Sequence, residues 1–297
     1  MIETASSFLN YRINQETVLF AKNSVSTMLP GLISIEINIT ELCNRTCYFC
    51  PRAFPEKYPN RNVHMSNETF NRICAELVNN NYKSKISFSG FGEPLLNKHF
   101  IFFLKELRKL LGPDPIIETN SNGDFLTTEV LDELFYAGLS SIYWNLYDGE
   151  HQLEPALKAI NRSVFPSENI RIRPHWSGID LEQEAGLILN NRSGMVSSAK
   201  YAKNLFPLKK GCNYPFYKML IDWDGNVLCC SNDWGRKRPM GNIMSLSLPE
   251  IWLSDEFMLF RKNLVNNDRS QAPCSTCDIN GELFGERSVR IIKDLML

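Results

Sequence analysis

Short β-type runs alternate with amphipathic helical runs between residues 33 and 176. The strand-like runs are apolar and rich in β-branched or aromatic residues, and they occupy residues 32–40, 85–90, 115–123, 140–149 and 169–176. Helical patterns lie between them, as in 67–78, where apolar residues recur on one face. Repeated β-then-α units imply right-handed crossovers and a parallel sheet. The chain is therefore predicted to have an α/β fold with a parallel sheet, open or closed into a barrel.

Polar motifs directly follow the first three predicted strands. CNRTCYFC (43–50) follows the first strand, GFGEP (90–94) the second and TNSNG (119–123) the third. The carboxyl ends of parallel strands meet at one face of a barrel, and chemistry in such barrels takes place there. The three motifs are therefore predicted to form one site.

The number and grouping of the cysteines favour metal sites. The chain has nine cysteines, and its start lacks the basic and apolar segments of a secretion signal, so a disulfide framework is not expected. Cys74 falls alone on the apolar face of a predicted helix, where core packing is expected. The other cysteines form two groups, which are Cys43, Cys47 and Cys50, and then Cys212, Cys229, Cys230, Cys274 and Cys277. Two metal sites are predicted.

Charge and hydropathy argue against several kinds of partner. A formal net charge of −1 over 297 residues gives no electrostatic case for binding nucleic acid or an anionic membrane. No apolar run approaches the length that spans a bilayer. We predict a cytoplasmic protein with no nucleic-acid partner and no membrane partner.

The first cysteine group favours one kind of metal centre. Cysteines separated by three and then by two residues can converge on one soft metal site. Zinc usually takes four protein ligands in paired arrangements, and no histidine lies close to this loop. The loop suits a cubane 4Fe–4S cluster with one open iron, and a zinc knuckle or unused thiols are the alternatives.

CxxxCxxC after a first β-strand resembles the signature of the radical S-adenosylmethionine (SAM) superfamily. The resemblance implies a partial (β/α)6 TIM-like barrel, a 4Fe–4S cluster held by Cys43, Cys47 and Cys50, and Phe49 beside the adenine of SAM. In this family the open iron binds the amino and carboxylate groups of SAM. The reduced cluster cleaves SAM to methionine and a 5′-deoxyadenosyl radical, which removes hydrogen from an unreactive C–H bond. The resemblance also implies an external electron donor such as flavodoxin or ferredoxin.

Other motifs resemble the SAM-binding elements of the same family. GFGEP resembles the Gly-Gly-Glu element, in which Gly92 and Glu93 would meet the ammonium group of SAM, since that cation needs a charge-assisted acceptor. NNRSGM (190–195) resembles an Asn-Arg-x-Gly element whose Arg192 would contact the SAM carboxylate or the substrate. Further polar positions of the family match Asn120, Asn122, Asn145 and Tyr147. The alternatives are a surface carboxylate at Glu93, an ion pair at Arg192 and a strand-end hydrogen bond at Asn145.

The segment from Cys212 onward has a different pattern. Residues 218–230 indicate a β-hairpin with a tight Asp-Gly turn, and 247–265 indicate a helix that starts with a capping box. CSTC (274–277) follows in a turn. The hairpin and the returning helix can bring the cysteines of this segment to one point.

This second pattern resembles the Twitch module, a truncated SPASM domain that binds one auxiliary 4Fe–4S cluster with full cysteine ligation. The ligands implied are Cys212, Cys230, Cys274 and Cys277. Adjacent strand residues point to opposite faces, so only one of Cys229 and Cys230 can reach the cluster, and the family spacing from the turn Asp selects Cys230. Four cysteines ending in CxxC would also suit structural zinc, which is the alternative.

These motifs divide the chain into four predicted parts. Residues 1–32 are an N-terminal extension, 33–205 the radical SAM core, 206–280 the Twitch/SPASM-like auxiliary cluster module with a β-hairpin and a helix, and 281–297 a C-terminal tail. The resemblance covers residues 33–280, which is most of the chain.

A fully ligated auxiliary cluster suits electron transfer rather than substrate binding. Module content and spacing resemble the aminocyclitol dehydrogenases of the family, in which a hydroxyl-bearing carbon becomes a ketone by two-electron oxidation. A base must take the hydroxyl proton, and the candidates are Asp233, Asp222 and His175. Asn232 is predicted to face the space between the two clusters. A small polar substrate such as a sugar or cyclitol is therefore favoured.

Two other functions stay open. Peptide maturases of the same superfamily epimerise or cross-link ribosomal peptides, often with a leader-binding domain, for which the extension over 1–32 is too short. A non-catalytic iron–sulfur or zinc protein is the third hypothesis. Such a protein would need no acceptor for the ammonium group of SAM, so GFGEP argues against it.

Overall fold

The computed structural model describes residues 2, 5–23, 28–175, 190–196 and 205–296. Within these residues the strands are β1 (Ser34–Ile37), β2 (Lys85–Phe88), β3 (Ile116–Ser121), β4 (Ser141–Leu146), β5 (Ile170–Pro174), β6 (Lys218–Ile221), β7 (Asn226–Leu228) and β8 (Pro239–Asn242). The helices are α1 (Ala5–Asn23), α2 (Asn67–Asn79), α3 (Phe100–Leu111), α4 (Thr128–Tyr136), α5 (Leu153–Arg162), α6 (Tyr214–Tyr217), α7 (Leu248–Trp252), α8 (Asp255–Val265) and α9 (Glu286–Asp294). The strands form one sheet in the order β5-β4-β3-β2-β1-β6-β7-β8.

The first five strands confirm the predicted alternation of strands and helices. Each pairs in parallel with the next, beginning with Ser34 of β1 opposite Lys85 of β2. Helices α2 to α5 connect them in turn. Helix α2 begins where the Ser66 side chain accepts a hydrogen bond from Thr69 N at 3.0 Å, and it buries Phe70 completely. A local cap and a single apolar face therefore define this first crossover helix.

The sixth parallel strand comes from the cysteine-rich C-terminal segment. β6 lies beside β1, with Ser34 opposite Lys218 and Ile37 opposite Ile221, and it turns back into the antiparallel β7. Gly225 has a φ of +85° in this turn, a conformation that glycine adopts readily. The Asp-Gly hairpin is thus confirmed. The sequence assigned this hairpin to the auxiliary module alone, and the structure shows that its first strand also extends the barrel sheet.

The predicted helix over 247–265 is in fact two helices. α7 begins with the expected capping box, in which Ser247 and Glu250 bond to each other's backbone N–H. Ser254 then caps α8, since its side chain accepts a hydrogen bond from Phe257 N at 3.2 Å. A second cap begins a new helix, and the apolar pattern alone does not reveal this break.

Two further helices lie where the sequence indicated only an extension and a tail. α1 closes the amino-terminal end of the barrel, where Gln15 Oε1 accepts a hydrogen bond from Lys85 Nζ at 3.1 Å. α9 is held by Ser288, whose hydroxyl donates to Gly31 O at 2.7 Å. Trp176, the last residue of the predicted fifth strand, lies outside the described residues. No helix among the described residues is long and apolar enough to cross a membrane.

The two sides of the parallel sheet differ in polarity. Alternate strand residues face opposite sides, and one set packs in the main hydrophobic core, including Ile35, Ile86, Ile117, Ile142 and Ile172. The other set is polar and lines a cavity of about 410 Å³ inside the barrel. Branched aliphatic side chains fill the interior of most (β/α)8 barrels. A polar interior instead leaves room for a polar ligand.

Candidate active site

The cavity opens at the carboxyl ends of the parallel strands. Every residue that the sequence predicted for the first cluster or for SAM lines it, together with Asn122, Tyr147, His175 and Asn232. The motifs that follow β1, β2 and β3 therefore meet at one place.

The cysteine loop (residues 43–50) is held by its own backbone and by one asparagine. Asn60 Oδ1 accepts a hydrogen bond from Cys43 N at 3.0 Å, and Asn60 Nδ2 donates to Cys43 O at 2.8 Å. Cys50 N donates to Cys47 O at 2.9 Å, which folds the second half of the loop into a turn. The three thiols are free and half-buried, and all three face the cavity.

Arg45 fixes the middle of this loop against the next strands. Its Nε donates to Asp124 Oδ2 at 2.6 Å, and its Nη1 donates to Asp148 Oδ1 at 2.9 Å. Asp124 and Asp148 follow β3 and β4. Hydrogen bonds to these carboxylates raise the pKa of Arg45, so its side chain stays charged. The loop is therefore positioned before any metal binds.

The thiols of the cysteine loop suit a metal cluster. Burial raises the pKa of all three, that of Cys47 to about 11. At neutral pH they are protonated without metal, and bound iron supplies the positive charge that ionises them. Of the described residues that line the cavity, Cys43, Cys47 and Cys50 are the only cysteines. Three thiolates fit a four-iron cluster with one iron left for another ligand.

The glycine motif after β2 runs directly against the backbone after β1. A Cβ atom on Gly92 would lie 2.2 Å from Thr40 O, closer than any side chain can approach. Arg52, just after the cysteine loop, is buried and its Nε donates to Phe91 O at 2.9 Å. The cysteine loop and the glycine motif therefore form one packed unit.

Glu93 is a buried carboxylate in the cavity wall. Its Oε1 accepts a hydrogen bond from Ser121 Oγ at 2.9 Å, and its Oε2 accepts one from Asn122 N at 2.8 Å. Burial raises the pKa of Glu93 to about 7, against the opposing effect of these hydrogen bonds. A carboxylate oxygen can accept more than one hydrogen bond. Glu93 can therefore also receive a cation, whose charge would keep it ionised.

Asparagines at the ends of β3 and β4 continue the polar wall. Asn122 Nδ2 donates to Asn44 Oδ1 at 2.7 Å and lies 3.9 Å from Cys43 Sγ. Asn145 Nδ2 donates to Ser121 O at 2.9 Å. Asn145 thus makes a strand-end hydrogen bond and also lines the cavity.

An aromatic group forms the opposite wall. The ring of Phe49 lies 5.2 Å from that of Tyr147 and 6.0 Å from that of His175, measured between centroids. Flat rings of this kind offer a stacking surface to a planar heterocycle. Phe49 is therefore placed where an adenine could pack.

The end of β5 brings basic side chains to the cavity. Arg173 Nη1 donates to Asn120 Oδ1 at 3.3 Å, and His175 Nε2 lies 3.0 Å from Asn145 Oδ1. Burial lowers the pKa of His175 to about 3, and the nearby charges of Arg173 and Arg192 lower it further. His175 is therefore neutral at physiological pH and a weak proton acceptor.

Arg192 enters the cavity from a strained turn. Arg192, Ser193 and Gly194 have φ values of +50°, +53° and +83°, a left-handed conformation that is costly for the two non-glycine residues. Asn191 N donates to both oxygens of Asp278, at 2.9 and 3.0 Å. Arg192 Nε is buried and has no hydrogen-bond partner among the described residues. The strain is maintained by contacts with the C-terminal segment.

The second cysteine group converges beside the barrel. Burial raises the pKa of each of the four thiols in this group that were predicted as cluster ligands, which are Cys212, Cys230, Cys274 and Cys277. Burial is the main cause of the raised pKa of Cys274, and the other three thiols raise it further by electrostatic repulsion of its thiolate. Those three thiols therefore lie close to Cys274. A Cβ atom on Gly281 would lie 2.1 Å from Cys212 Sγ, so glycine makes room for this thiol.

Cys229 and Cys230 point in different directions. Cys229 is fully buried in the hydrophobic core. Cys230 Sγ accepts hydrogen bonds from Asn232 N at 3.4 Å and from Asn232 Nδ2 at 3.6 Å. Asn232 also lines the cavity, so it lies between the two cysteine groups.

Neither cysteine group forms a site for a single ion. Among the described residues, no three His, Cys, Asp or Glu side chains are placed to hold one metal ion. Zinc holds all its thiolates at about 2.3 Å, whereas each thiolate of a four-iron cluster binds a different iron.

The two aspartates considered as bases serve the fold. Asp233 accepts hydrogen bonds from the backbone N–H groups of residues 237–238, both at 2.9 Å. Asp222 accepts from Asn38 Nδ2 at 2.7 Å and from Arg236 Nε at 2.5 Å. Both are fully buried, and neither is among the described residues that line the cavity.

Two lysine–glutamate pairs in the cavity were not singled out by the sequence analysis. Lys218 Nζ lies 2.9 Å from Glu36 Oε1, and Lys85 Nζ lies 3.3 Å from Glu118 Oε1. All four line the cavity. Each is a charged residue inside a short apolar strand, where the side chain must face the barrel interior or be buried at a high cost. A lysine or glutamate inside an apolar strand is therefore the sequence pattern that could have identified these four residues.

Two family models match the chain in succession. A model of the radical SAM superfamily matches residues 37–172. A model of the SPASM iron–sulfur cluster-binding domain matches residues 212–278. The first match contains the three clustered cysteines, and the second contains the other cysteine group.

Known proteins of similar sequence and fold agree with these matches. The S-adenosyl-L-methionine-dependent 2-deoxy-scyllo-inosamine dehydrogenase of Niallia circulans is 28% identical over 252 residues, which are 82% of this chain and 92% of the relative. A tungsten-containing aldehyde ferredoxin oxidoreductase cofactor-modifying protein of Pyrococcus furiosus is 27% identical, covering 82% of this chain and 86% of that protein. The crystal structure of BtrN in complex with AdoMet and 2-DOIA has a TM-score of 0.72 at 24% identity, covering 86% of this chain and 96% of that one.

The partial barrel, the CxxxCxxC loop at its open end and the second cysteine group define a radical SAM enzyme with an SPASM-type domain. Residues 37–172 form a radical SAM domain and residues 212–278 a SPASM domain, and the chain is similar in sequence to the dehydrogenase of Niallia circulans. Its cofactors are SAM, a 4Fe–4S cluster bound in the barrel, and auxiliary iron–sulfur clusters bound by the SPASM domain.

Proposed function

We propose that this radical SAM enzyme oxidises a hydroxyl-bearing carbon of a sugar or cyclitol to a ketone. The observation that carries the proposal is the polar barrel interior, which lies between the two cysteine groups and has a volume of about 410 Å³. The Niallia circulans relative, which this chain covers over 92% of its length, is named as a dehydrogenase of the cyclitol amine 2-deoxy-scyllo-inosamine. Both facts favour a small polar substrate over a peptide and over a non-catalytic role.

The SAM end of the cavity provides a partner for each part of that molecule. The proposed ligands of the first cluster are Cys43, Cys47 and Cys50. Glu93 accepts a hydrogen bond from the amino group, Arg192 pairs with the carboxylate, and Phe49 packs against the adenine. Gly92 lets the backbone pass close to the amino-acid end. SAM bound there supplies, after one-electron reduction, the 5′-deoxyadenosyl radical that takes hydrogen from the substrate.

Two asparagines complete this end of the cavity in our proposal. Asn120 and Asn145 lie at the ends of β3 and β4 and line the same space. Their side chains carry both donors and acceptors. Ribose hydroxyls need such partners, and we assign the two asparagines to them.

The second cysteine group is proposed to hold one four-iron cluster that accepts an electron. Its ligands are Cys212, Cys230, Cys274 and Cys277. Asn232 donates two hydrogen bonds to Cys230 Sγ, at 3.4 and 3.6 Å. Hydrogen bonds to a ligating sulfur stabilise the more negative, reduced cluster. They therefore favour removal of the electron that remains on the substrate after hydrogen abstraction.

A reduced donor must approach the first cluster from outside, and flavodoxin or ferredoxin is the proposed class. Tyr48, which lies between two of the proposed ligands, is 68% exposed, so the cysteine loop reaches the protein surface. We place the enzyme in the cytoplasm because its nine cysteines are unpaired and such thiols persist in a reducing compartment.

One experiment tests the proposed function. The protein is reconstituted anaerobically with iron and sulfide and is then given SAM, dithionite and either 2-deoxy-scyllo-inosamine, myo-inositol or glucose. We expect one of these polyols to yield equal amounts of 5′-deoxyadenosine and ketone, measured by mass spectrometry. Formation of 5′-deoxyadenosine without ketone from every polyol would contradict dehydrogenation. A Cys43→Ala, Cys47→Ala, Cys50→Ala variant is the control for SAM cleavage.

A further inference from the structure

Only one carboxylate of the cavity is open to a bound molecule. Among the described residues, Glu36, Glu93 and Glu118 are the carboxylates that line the cavity. The side chain of Glu36 is 17% exposed, whereas that of Glu118 is 5% exposed and Glu93 as a residue is 3% exposed. Glu93 also belongs to the SAM end of the site. Glu36 is therefore the carboxylate that a substrate can touch.

Glu36 lies on the same wall as the auxiliary cysteines. It stands in β1 beside β6, where Lys218 Nζ donates to Glu36 Oε1 and to Ser231 Oγ, both at 2.9 Å. Ser231 is the neighbour of Cys230 in the chain, and it also hydrogen-bonds Glu36. A short polar chain thus runs from the cavity to a proposed ligand of the second cluster.

The charge state of Glu36 suits it to accept a proton. Burial raises its pKa, but the Lys218 ammonium and the hydrogen bonds from Lys218 and Ser231 outweigh this effect and hold the pKa below its ordinary value. Glu36 is therefore ionised at neutral pH. The hydroxyl of an α-hydroxy carbon radical is far more acidic than that of an alcohol, so a weak base is sufficient to deprotonate it.

We propose that Glu36 is the catalytic base, which removes the hydroxyl proton of the substrate radical. This inference rests on the proposed dehydrogenation. The 5′-deoxyadenosyl radical first takes the hydrogen atom from the carbon that bears the hydroxyl. The O–H bond then breaks, its proton goes to the Glu36 carboxylate and one electron goes to the oxidised auxiliary cluster. The C–O bond becomes C=O, so the substrate loses two hydrogen atoms in total.

Proton and electron leave toward the same side of the barrel in this arrangement. The Lys218 ammonium lies next to the carboxylate that receives the proton, and its charge partly offsets the rise that burial causes in the pKa of Cys230. A positive charge at this position stabilises the reduced cluster and the developing negative charge on the substrate oxygen. Removal of the proton makes the substrate radical a stronger reductant. The two transfers therefore assist each other.

The chain contains a matched control for this role. Glu118 is also a buried glutamate in a β-strand, lines the same cavity and pairs with a lysine, Lys85, at 3.3 Å. Glu118 belongs to β3, two strands from β1 on the side away from β6. Loss of either carboxylate removes one ion pair, but only Glu36 adjoins the auxiliary cysteines.

The test compares Glu36→Gln, Glu36→Asp and Glu118→Gln in the reconstituted holoenzyme, with SAM, dithionite and 2-deoxy-scyllo-inosamine as the probe. Iron content, SAM affinity by calorimetry and melting temperature are measured first. Iron content and SAM affinity are expected to match the wild type in all three variants, and the melting temperature should fall by a similar amount in Glu36→Gln and Glu118→Gln because each loses one ion pair. For Glu36→Gln we expect 5′-deoxyadenosine at near the wild-type rate in the first turnover, with ketone per 5′-deoxyadenosine reduced about 10²-fold or more. An organic radical should accumulate in its electron paramagnetic resonance spectrum. Glu36→Asp should recover part of the ketone yield.

The outcomes separate this inference from the proposed function. A wild-type ratio of ketone to 5′-deoxyadenosine in Glu36→Gln would overturn the role of Glu36 and leave dehydrogenation intact. Uncoupling in Glu118→Gln but not in Glu36→Gln would assign the base to the other wall and overturn it equally. If the wild-type enzyme forms 5′-deoxyadenosine but no ketone from the probe, the oxidation of this cyclitol fails, and the inference falls with it.

Discussion

Asn191 and Thr276 are joined by a hydrogen bond of 2.7 Å from Asn191 Nδ2 to Thr276 O, across 85 residues of chain. Thr276 lies in the CSTC loop (residues 274–277), and it returns a hydrogen bond to Ser193 O at 2.8 Å. The turn held in this way contains Arg192, which lines the SAM end of the cavity. The CSTC loop, which belongs to the second cysteine group, therefore positions the Arg192 guanidinium beside the first cysteine group.

The first prediction is that Asn191→Ala weakens SAM binding by about tenfold. The substitution removes the partly buried hydrogen bond to Thr276, and a hydrogen bond of this kind contributes about 1–1.5 kcal/mol. Arg192 would then relax from its left-handed turn. Calorimetry with SAM on the oxidised holoenzyme measures the effect. Asn280→Ala, at an exposed position of the same segment, is the control. Unchanged SAM affinity in Asn191→Ala would contradict the positioning role.

The second prediction separates the adjacent cysteines. Cys230→Ala should reduce the iron content from about eight to about four per chain, since one of two four-iron clusters loses a ligand. Cys229→Ala should keep all the iron and lose about 1 kcal/mol of unfolding free energy, because its thiol packs in the core. Iron analysis and thermal melts measure the two effects. The opposite pattern would assign Cys229 as the ligand.

The third prediction concerns the glycine motif. Gly92→Ala places a methyl group 2.2 Å from Thr40 O, which cannot move away because it is backbone. The segment must shift, at a cost of about 1–3 kcal/mol in stability, and SAM affinity should fall at least tenfold because Glu93 follows directly. Gly235→Ala meets only the flexible Lys237 side chain, at 3.1 Å, and should behave as the wild type. Equal effects in both variants would show that Gly92 has no special constraint.

The fourth prediction is a pH dependence of SAM affinity. Burial raises the pKa of Glu93 to about 7, and the amino group of SAM donates its strongest hydrogen bond to the ionised carboxylate. Below about pH 7, affinity should therefore fall more steeply than in Glu93→Gln, by a further factor of up to about ten for each pH unit, as the ionised fraction of Glu93 falls. Glu93→Gln should bind SAM more weakly and keep only the pH dependence of the SAM amino group itself. Equal slopes in the wild type and Glu93→Gln would contradict the role of Glu93. Calorimetry across the pH range provides the measurement.

Local patterns explain what the sequence could predict. The strands, the hairpin turn and the cap at Ser247 each depend on residues close together in the chain. The position of Glu93 could be expected because its motif directly follows a strand, and strand ends of one sheet meet. Such features need no knowledge of distant pairings.

Long-range pairings explain what the sequence could not predict. The β1–β6 ladder joins residues about 180 positions apart. Nothing in the sequence near Lys218 indicates that this residue pairs with Ser34 across the two strands. Without that ladder, Glu36 reads as an isolated charge in a strand. The surroundings of Asp233 were equally out of reach of the sequence, because its oxygens accept hydrogen bonds from the backbone N–H groups of a turn.

The shared sheet also places the two cysteine groups at opposite ends of the barrel. The cysteine loop follows the carboxyl end of β1, whereas Cys230 follows β7, which runs antiparallel to β6. The register of these strands puts Cys230 near the level of Lys218 and Ser34, at the amino-terminal end of the sheet. A four-residue strand spans about 13 Å, so an electron must cross the depth of the barrel interior in which the substrate binds. Because a ladder of backbone hydrogen bonds resists stretching, that distance should stay nearly constant while side chains and substrate move.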